Sequence, residues 1–178
     1  DGHANSKAMV TEGDVRFTVL TPRLIRLEWD TSRKFNDQPS FVVINRKLAI
    51  PYFTKKIENG WLQITTSELE LRYQLKSGKF NEQNLVITYR HPQDNFTWKP
   101  GMKEKDNLKG TYRTLDRFDG NITDGNREMK LEDGLLSKDG WHLIDDSKSF
   151  LFDKSDWDWV ASRPEGDKQD WYFMGYGK

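Results

Sequence analysis

The chain contains no cysteine among its 178 residues. That excludes a disulfide framework, a thiolate-ligated metal and a thiol nucleophile. It also lacks net charge, with 28 Lys and Arg balancing 28 Asp and Glu. No global field therefore draws it to nucleic acid or to an anionic membrane, and neither is an expected partner. No apolar run is long enough for a membrane-spanning helix, and the polar start Asp1-Gly2-His3-Ala4-Asn5 carries no signal-peptide pattern and reads as a trimmed end. Histidine is scarce. His3, His91 and His142 are scattered without metal-ligand spacing, so no metal and no cofactor are expected. Gly-x-Ser-x-Gly, P-loop and Rossmann glycine signatures are missing. Gly175-Tyr176-Gly177 is half a nucleotide fingerprint without its βαβ context and reads as a strand end and turn. There is no long amphipathic helical stretch, internal repeat, heptad run or low-complexity tract.

What the chain does have is aromatics: 10 Phe, 7 Trp and 6 Tyr within a hydrophobic fraction of only 35%. Few aliphatics with many large rings suit half-buried strands better than a helical bundle. Period-two alternation dominates the first half. Val15, Phe17 and Val19 alternate with Arg16 and Thr18. After Thr21-Pro22-Arg23, a hairpin or sharp bend, Ile25, Leu27 and Trp29 alternate with Arg26 and Glu28. Such alternation predicts one packed face and one wet face. Residues 30–40 read as a polar loop, and Phe41-Val42-Val43-Ile44 as a short buried strand. Asn59-Gly60 between two apolar runs predicts a tight hairpin, because both positions tolerate positive φ. Leu69, Leu71, Tyr73 and Leu75 give the cleanest strand, Ser77-Gly78 a turn and residues 85–90 the next strand.

From His91 to Lys109 the pattern weakens into a long loop with one short strand near Phe96–Trp98, and residues 119–126 form a turn-rich insertion. Residues 129–131, 141–144, 150–152 and 171–174 are further short strands. Around Asp145 the strands shorten, as in a segment leaving the main body. The fold class expected is all-β, a β-sandwich of mostly antiparallel strands with long loops, as one domain over residues 1–178.

Carboxylates are the natural place to look for hydrolytic chemistry, since retaining glycosidases use a pair roughly 5–5.5 Å apart. Asp145 and Asp146 are adjacent and point to opposite faces of a strand. Glu132-Asp133 reads as a turn, and Asp156 and Asp158 share a face if extended. None reads as a catalytic pair. Asp145 or Asp146 better serves backbone donors in the loop that follows, and the aspartates from Asp139 to Asp158 read as a solvated acidic rim. Trp157-Asp158-Trp159 and Trp171-Tyr172-Phe173 admit two readings: faces that stack on pyranose rings, or aromatics buried against the sandwich or a partner.

Three blocks carry a family resemblance: residues 108–116 (LKGTYRTLD), 131–141 (LEDGLLSKDGW) and 143–147 (LIDDS). In order, spacing and residue type they resemble the region just before the catalytic barrel of glycoside hydrolase family 31, the α-glucosidase and α-xylosidase family. Residues 17–29 (FTVLTPRLIRLEW) are similar to the family's first strands, and residues 170–177 (DWYFMGYG) to its last strand before the barrel. The resemblance implies a galactose-mutarotase-like β-sandwich packed on a (β/α)8 barrel that supplies both catalytic aspartates. Neither barrel motif occurs here, so no catalytic residue is carried over and the fragment alone is expected to be inactive. A family-type loop reaching the barrel mouth would place Arg113, Asp116, Arg117 and Asp119 near substrate; Trp157 and Trp159 are separate candidate sugar contacts, from the stacking reading of their rings. The implied partners are the parent enzyme's barrel and, in the intact enzyme, an α-linked oligosaccharide. An extracytoplasmic setting, periplasmic or secreted, is favoured. The competing expectations are a free-standing carbohydrate-binding module and a scaffold whose aromatic face only buries against a partner.

Overall fold

A computed structural model describes residues 1–110, 131–153 and 160–177. Among them the only helix is a single 3-10 turn, Ser6–Ala8, capped by the Asn5 side chain. The rest is β-structure. The strands are β1 (Met9–Glu12), β2 (Val15–Thr21), β3 (Leu24–Asp30), β4 (Thr54–Glu58), β5 (Trp61–Thr65), β6 (Leu69–Gln74), β7 (Leu85–His91), β8 (Asp94–Trp98), β9 (Trp141–Asp145), β10 (Leu151–Phe152), β11 (Val160–Ala161) and β12 (Lys168–Gly175). They form two five-stranded antiparallel sheets, ordered β1-β2-β3-β12-β9 and β4-β5-β6-β7-β8, with β10 and β11 paired separately. The all-β sandwich expected from the alternation is the observed architecture.

The alternation selects which side chains meet between the sheets. Phe17, Ile25, Leu27 and Phe173 of the first sheet are fully buried against Leu62, Leu71, Tyr73, Ile87 and Trp98 of the second. Rings make many of the contacts across the gap. Phe17 lies 5.7 Å from Tyr73, Phe80 lies 5.8 Å from both Phe17 and Trp171, and Trp98 lies 5.0 Å from Phe173 and 6.1 Å from Trp141, centroid to centroid. Tilted rings at these separations are the favoured geometry for aromatic pairs. Trp171, Tyr172 and Phe173 thus follow the burial reading.

Turn chemistry is obeyed locally. Asn59 and Gly60 have φ of 50° and 79°, and the β4–β5 hairpin closes around them with Glu58 opposite Trp61. Residues 91–98 are more ordered than expected: β7 turns at Pro92-Gln93 and returns as the five-residue strand β8.

Three expectations are corrected. Strands β2 and β3 of the first sheet have no wet face. Every residue of β2 from Val15 to Leu20, and of β3 from Ile25 to Asp30, is buried. Residues 1–8 and the loop through residues 36–46 lie over its second side, where Ala4, Leu20 and Tyr172 form a separate small core with Val43 packed on it. Second, residues 41–44 are not a buried strand. Phe41, Val42 and Ile44 are exposed and only Val43 turns inward, because a tight turn between Ser40 and Val43 breaks the extended run. Third, the stretch beyond Asp145 returns to the body. β12 is laid between β3 and β9, its Asp170 opposite Glu28 and its Tyr172 opposite both Arg26 and Ile144. The strand expected at residues 129–131 falls partly outside the described residues, and Leu131 belongs to no strand. The insertion at 119–126 lies outside them entirely.

Two glycines separate conformational strain from close approach. A Cβ on Gly60 meets open space, whereas one on Gly140 (φ +82°) falls 2.7 Å from the Gly177 carbonyl carbon. Gly140→Ala must therefore push apart the backbone that accepts the Tyr176 and Gly177 amides. Gly60→Ala is expected to cost ~1 kcal/mol from its left-handed backbone alone, and Gly140→Ala at least ~2 kcal/mol. Urea unfolding midpoints check this, and equal losses would contradict it.

Candidate functional site

The second face of the first sheet carries charges where a soluble sheet ordinarily meets water. Cross-strand register sets Arg16 opposite Glu28 and Glu28 opposite Asp170. Two carboxylates directly opposite would repel, so the arrangement depends on what lies between them. Arg16 grips Glu28 through both oxygens at 2.7 and 3.0 Å, and reaches Asp37 at 2.7 and 3.2 Å. Arg26 grips Asp170 through both oxygens at 2.8 and 2.7 Å, and its Nη2 lies 3.1 Å from Glu28. Arg163 bridges Asp170 at 3.0 Å and Asp146 at 2.8 Å. Arg46 donates to the Tyr172 hydroxyl and to the carbonyls of Gly2 and Gln38, tying the chain start and the loop to β12. Arg16, Arg26 and Arg163 thus pair with Glu28, Asp37, Asp146 and Asp170, while Arg46 binds only neutral oxygens beside them. Two-oxygen guanidinium–carboxylate pairs are the strongest protein hydrogen-bond pairs, and only arginine offers that planar fork.

Burial and charge pull these carboxyls in different directions. For Asp170, burial opposes ionisation, but the Arg26 guanidinium outweighs it and holds the carboxyl below the usual range. Asp37 behaves likewise under Arg16. Glu28 is raised: burial, reinforced by Asp170, exceeds the pull of Arg26 and Arg16. Burial also pushes the Tyr172 phenol up to about 12, against the influence of Arg26.

Beside this network, a cleft of about 120 Å3 opens at the ends of β3 and β12. Trp29, Phe35 and the carboxylates Glu28, Asp30 and Asp170 contribute to its wall. All three carboxylates are committed. Glu28 and Asp170 are held as described. Asp30 accepts from the Ser32 amide at 2.8 Å and hydroxyl at 2.7 Å, and pairs with Lys168 at 2.8 Å. A general acid or base needs an oxygen free to meet substrate. These oxygens instead fix one segment of chain against another.

The residues singled out from sequence, Arg113, Asp116, Arg117, Asp119, Trp157 and Trp159, lie outside the described residues. Asp145 does serve the following loop, accepting the Ser147 amide at 3.0 Å. The acidic rim is corrected at Asp146, which is fully buried against Arg163. The network residues Arg16, Arg26 and Glu28 were in plain view as the polar half of β2 and β3. Their type was the available signal, since an arginine on each strand at the polar positions, Arg16 opposite Glu28 and Arg26 two residues before it, supplies forks rather than mere solubility. Among the described residues, no group of three or more potential ligands is placed to hold a metal ion, and no helix is long and apolar enough to cross a membrane. No protein-family model matches the chain, and no curated protein matches it in sequence.

The shifts fix a pH dependence. A depressed carboxyl adds stability that is present above its unfolded value and is lost as pH falls through its folded value. Asp170 and Asp37 therefore predict loss of stability on acidification through and below the ordinary carboxylate range near ~4. Glu28, being raised, works in the opposite sense, gaining stability on protonation. Asp170→Asn takes from buried Arg26 its two-oxygen carboxylate, leaving Glu28 at 3.1 Å as its nearest carboxylate, and is expected to cost about 3–5 kcal/mol at neutral pH. It should also flatten the acid limb of stability against pH. Urea titrations from neutral to acid pH read both, and an unchanged limb would contradict the assignment.

Proposed function

We propose that this chain is a non-catalytic, galactose-mutarotase-like sandwich domain of a retaining α-glycoside hydrolase of the family 31 type, α-glucosidase- or α-xylosidase-like. In that role it packs on a (β/α)8 barrel and helps shape the pocket for an α-linked oligosaccharide. The family assignment rests on the ordered sequence blocks at residues 108–116, 131–141 and 143–147. The non-catalytic role rests on one observation: each carboxylate in the wall of the cleft is held by an arginine or a lysine.

A further feature favours a packing role. Residues 106–110 and 132–138 run alongside each other as an arm, with amide–carbonyl bonds from Leu108 to Leu136 at 2.9 Å, Gly110 to Glu132 at 2.7 Å and Lys138 to Asp106 at 2.9 Å. The arm carries Leu108, Leu135 and Leu136 more than half exposed, with Leu131 beside them at 45%. Clustered exposed leucines suit a surface that another domain covers. Asn107 braces the arm from inside, accepting the Gly134 amide and donating to its carbonyl at 2.8 and 2.9 Å.

A free-standing carbohydrate-binding module is the second reading. It is favoured by a shallow trough around Trp61 on the outside of the second sheet.

The gene supplies the test. Its full reading frame is expected to encode a (β/α)8 barrel beyond Lys178, and the intact product to hydrolyse aryl α-glycosides, while residues 1–178 alone show no turnover. A frame ending at Lys178, or enzymatic turnover by the isolated chain, would overturn the proposal.

A further inference from the structure

The solvent face of the second sheet has a chemistry different from that of the charge-closed first sheet. Register places Gln63 between Lys56 and Arg72, and Trp61 between Glu58 and Gln74. Lys56, Glu58, Trp61, Gln63 and Arg72, with Asn59 from the hairpin turn, line an open trough of about 290 Å3. Trp61 is half-buried, its indole held by the Arg72 guanidinium 5.2 Å from the ring centroid. Gln63 donates to Thr65 and Glu70, each at 3.3 Å, and Lys56 pairs with Glu58 at 2.8 Å.

A large flat ring on a solvated sheet, among amides, ammonium, guanidinium and carboxylate groups, suits one ligand class well. A pyranose unit presents an apolar C–H face and a rim of hydroxyls, each both donor and acceptor. It therefore needs an aromatic plane with donors and acceptors of both kinds around it. The trough supplies donors in Lys56 and Arg72, an acceptor in Glu58, and both functions in Asn59 and Gln63. Nucleic-acid bases also stack on tryptophan, but single-strand binders line their grooves with positive charge. Here Glu58 and Glu70 interrupt any basic track, and the whole chain is neutral. The volume lies just below the ~300–1,000 Å3 of small-molecule sites, which suits one sugar unit rather than several.

We infer that the Trp61 trough binds a neutral oligosaccharide through one pyranose unit stacked at the indole. The ligand class rests on the carbohydrate reading above, whereas the trough itself does not. This role is separate from any pocket at a barrel mouth. It would hold a polymeric or branched glucan to the domain.

The experiment is an NMR titration of the 15N-labelled chain with maltose, isomaltose and xyloglucan fragments, following the Trp61 indole N–H and the Asn59 and Gln63 carboxamides. Single-stranded DNA and inorganic phosphate serve as comparison ligands. Saturable shifts centred on these groups with a neutral sugar, weakened at least tenfold by Trp61→Ala, are expected. Arg72→Ala, a change on an exposed side chain, should weaken binding in the same direction and provides the test if the tryptophan variant does not fold. No shift with any neutral sugar, shifts only with DNA or phosphate, or shifts centred on Trp29 and Phe35 would overturn the inference. None of those outcomes bears on whether the reading frame encodes a barrel, so the two proposals fail separately.

Discussion

Glu28 and Asp170 stand opposite one another on neighbouring strands, buried, and only the arginines between them make that tolerable. Arg26 is the common partner of both, with Arg16 and Arg163 closing the ends of the row. Without those guanidiniums the second face of the first sheet would have to remain wet. With them, it accepts a cover made of the chain start and the loop at 36–46, and the Arg26 fork itself donates to the Asn36 carbonyl at 2.8 Å. A buried ionic array is weak evidence for net stability, because the desolvation it requires is large. Its consequence here is geometric: it specifies where two otherwise irregular segments lie.

That constraint divides the molecule's surfaces. The inner faces of both sheets are joined by aromatic packing. The outer face of the first sheet is sealed by the arginine–carboxylate array, so its acids serve architecture. The outer face of the second sheet stays open and carries Trp61 among polar groups. The leucine-bearing arm follows β8 in the chain and is tied to the end of β12 through Ser137 and Tyr176. A domain built to dock through one region and touch carbohydrate on another would need such a separation, since a partner covering the trough would deny it to sugar.

Much of the sandwich was legible in the sequence because period-two alternation and turn residues report on strands directly. Val15 to Trp29, the Asn59-Gly60 hairpin and Leu69 to Tyr73 all fold as their patterns require. What misled was inference from polarity to exposure. Arg16, Arg26 and Glu28 look like a solvated face until the partners from residues 37, 146, 163 and 170 arrive, and sequence spacing does not reveal those long-range meetings. The same limit hid the fate of Phe41 to Ile44, whose apolar run suggests a strand while the Ser40 turn breaks it. Trp61 was visible only as the first residue of a strand. Its company with Gln63 and Arg72 follows from the β5–β6 register. The sites expected at Arg113 to Asp119 and at Trp157 and Trp159 fall outside the described residues.

The most direct test of the closed first-sheet face is a double-mutant cycle on Arg26 and Asp170, using Arg26→Met, Asp170→Leu and the two together, with unfolding free energies from urea titration at neutral pH. If this pair holds the array, each single change leaves a buried charge without its two-oxygen partner, while the double change leaves Arg16–Glu28 and Arg163–Asp146 balanced. The double variant should then lose far less than the sum of the singles, with a coupling at or above the top of the ~0.5–3 kcal/mol range usual for contacting residues. Losses that simply add would show that the pair is not what closes this face.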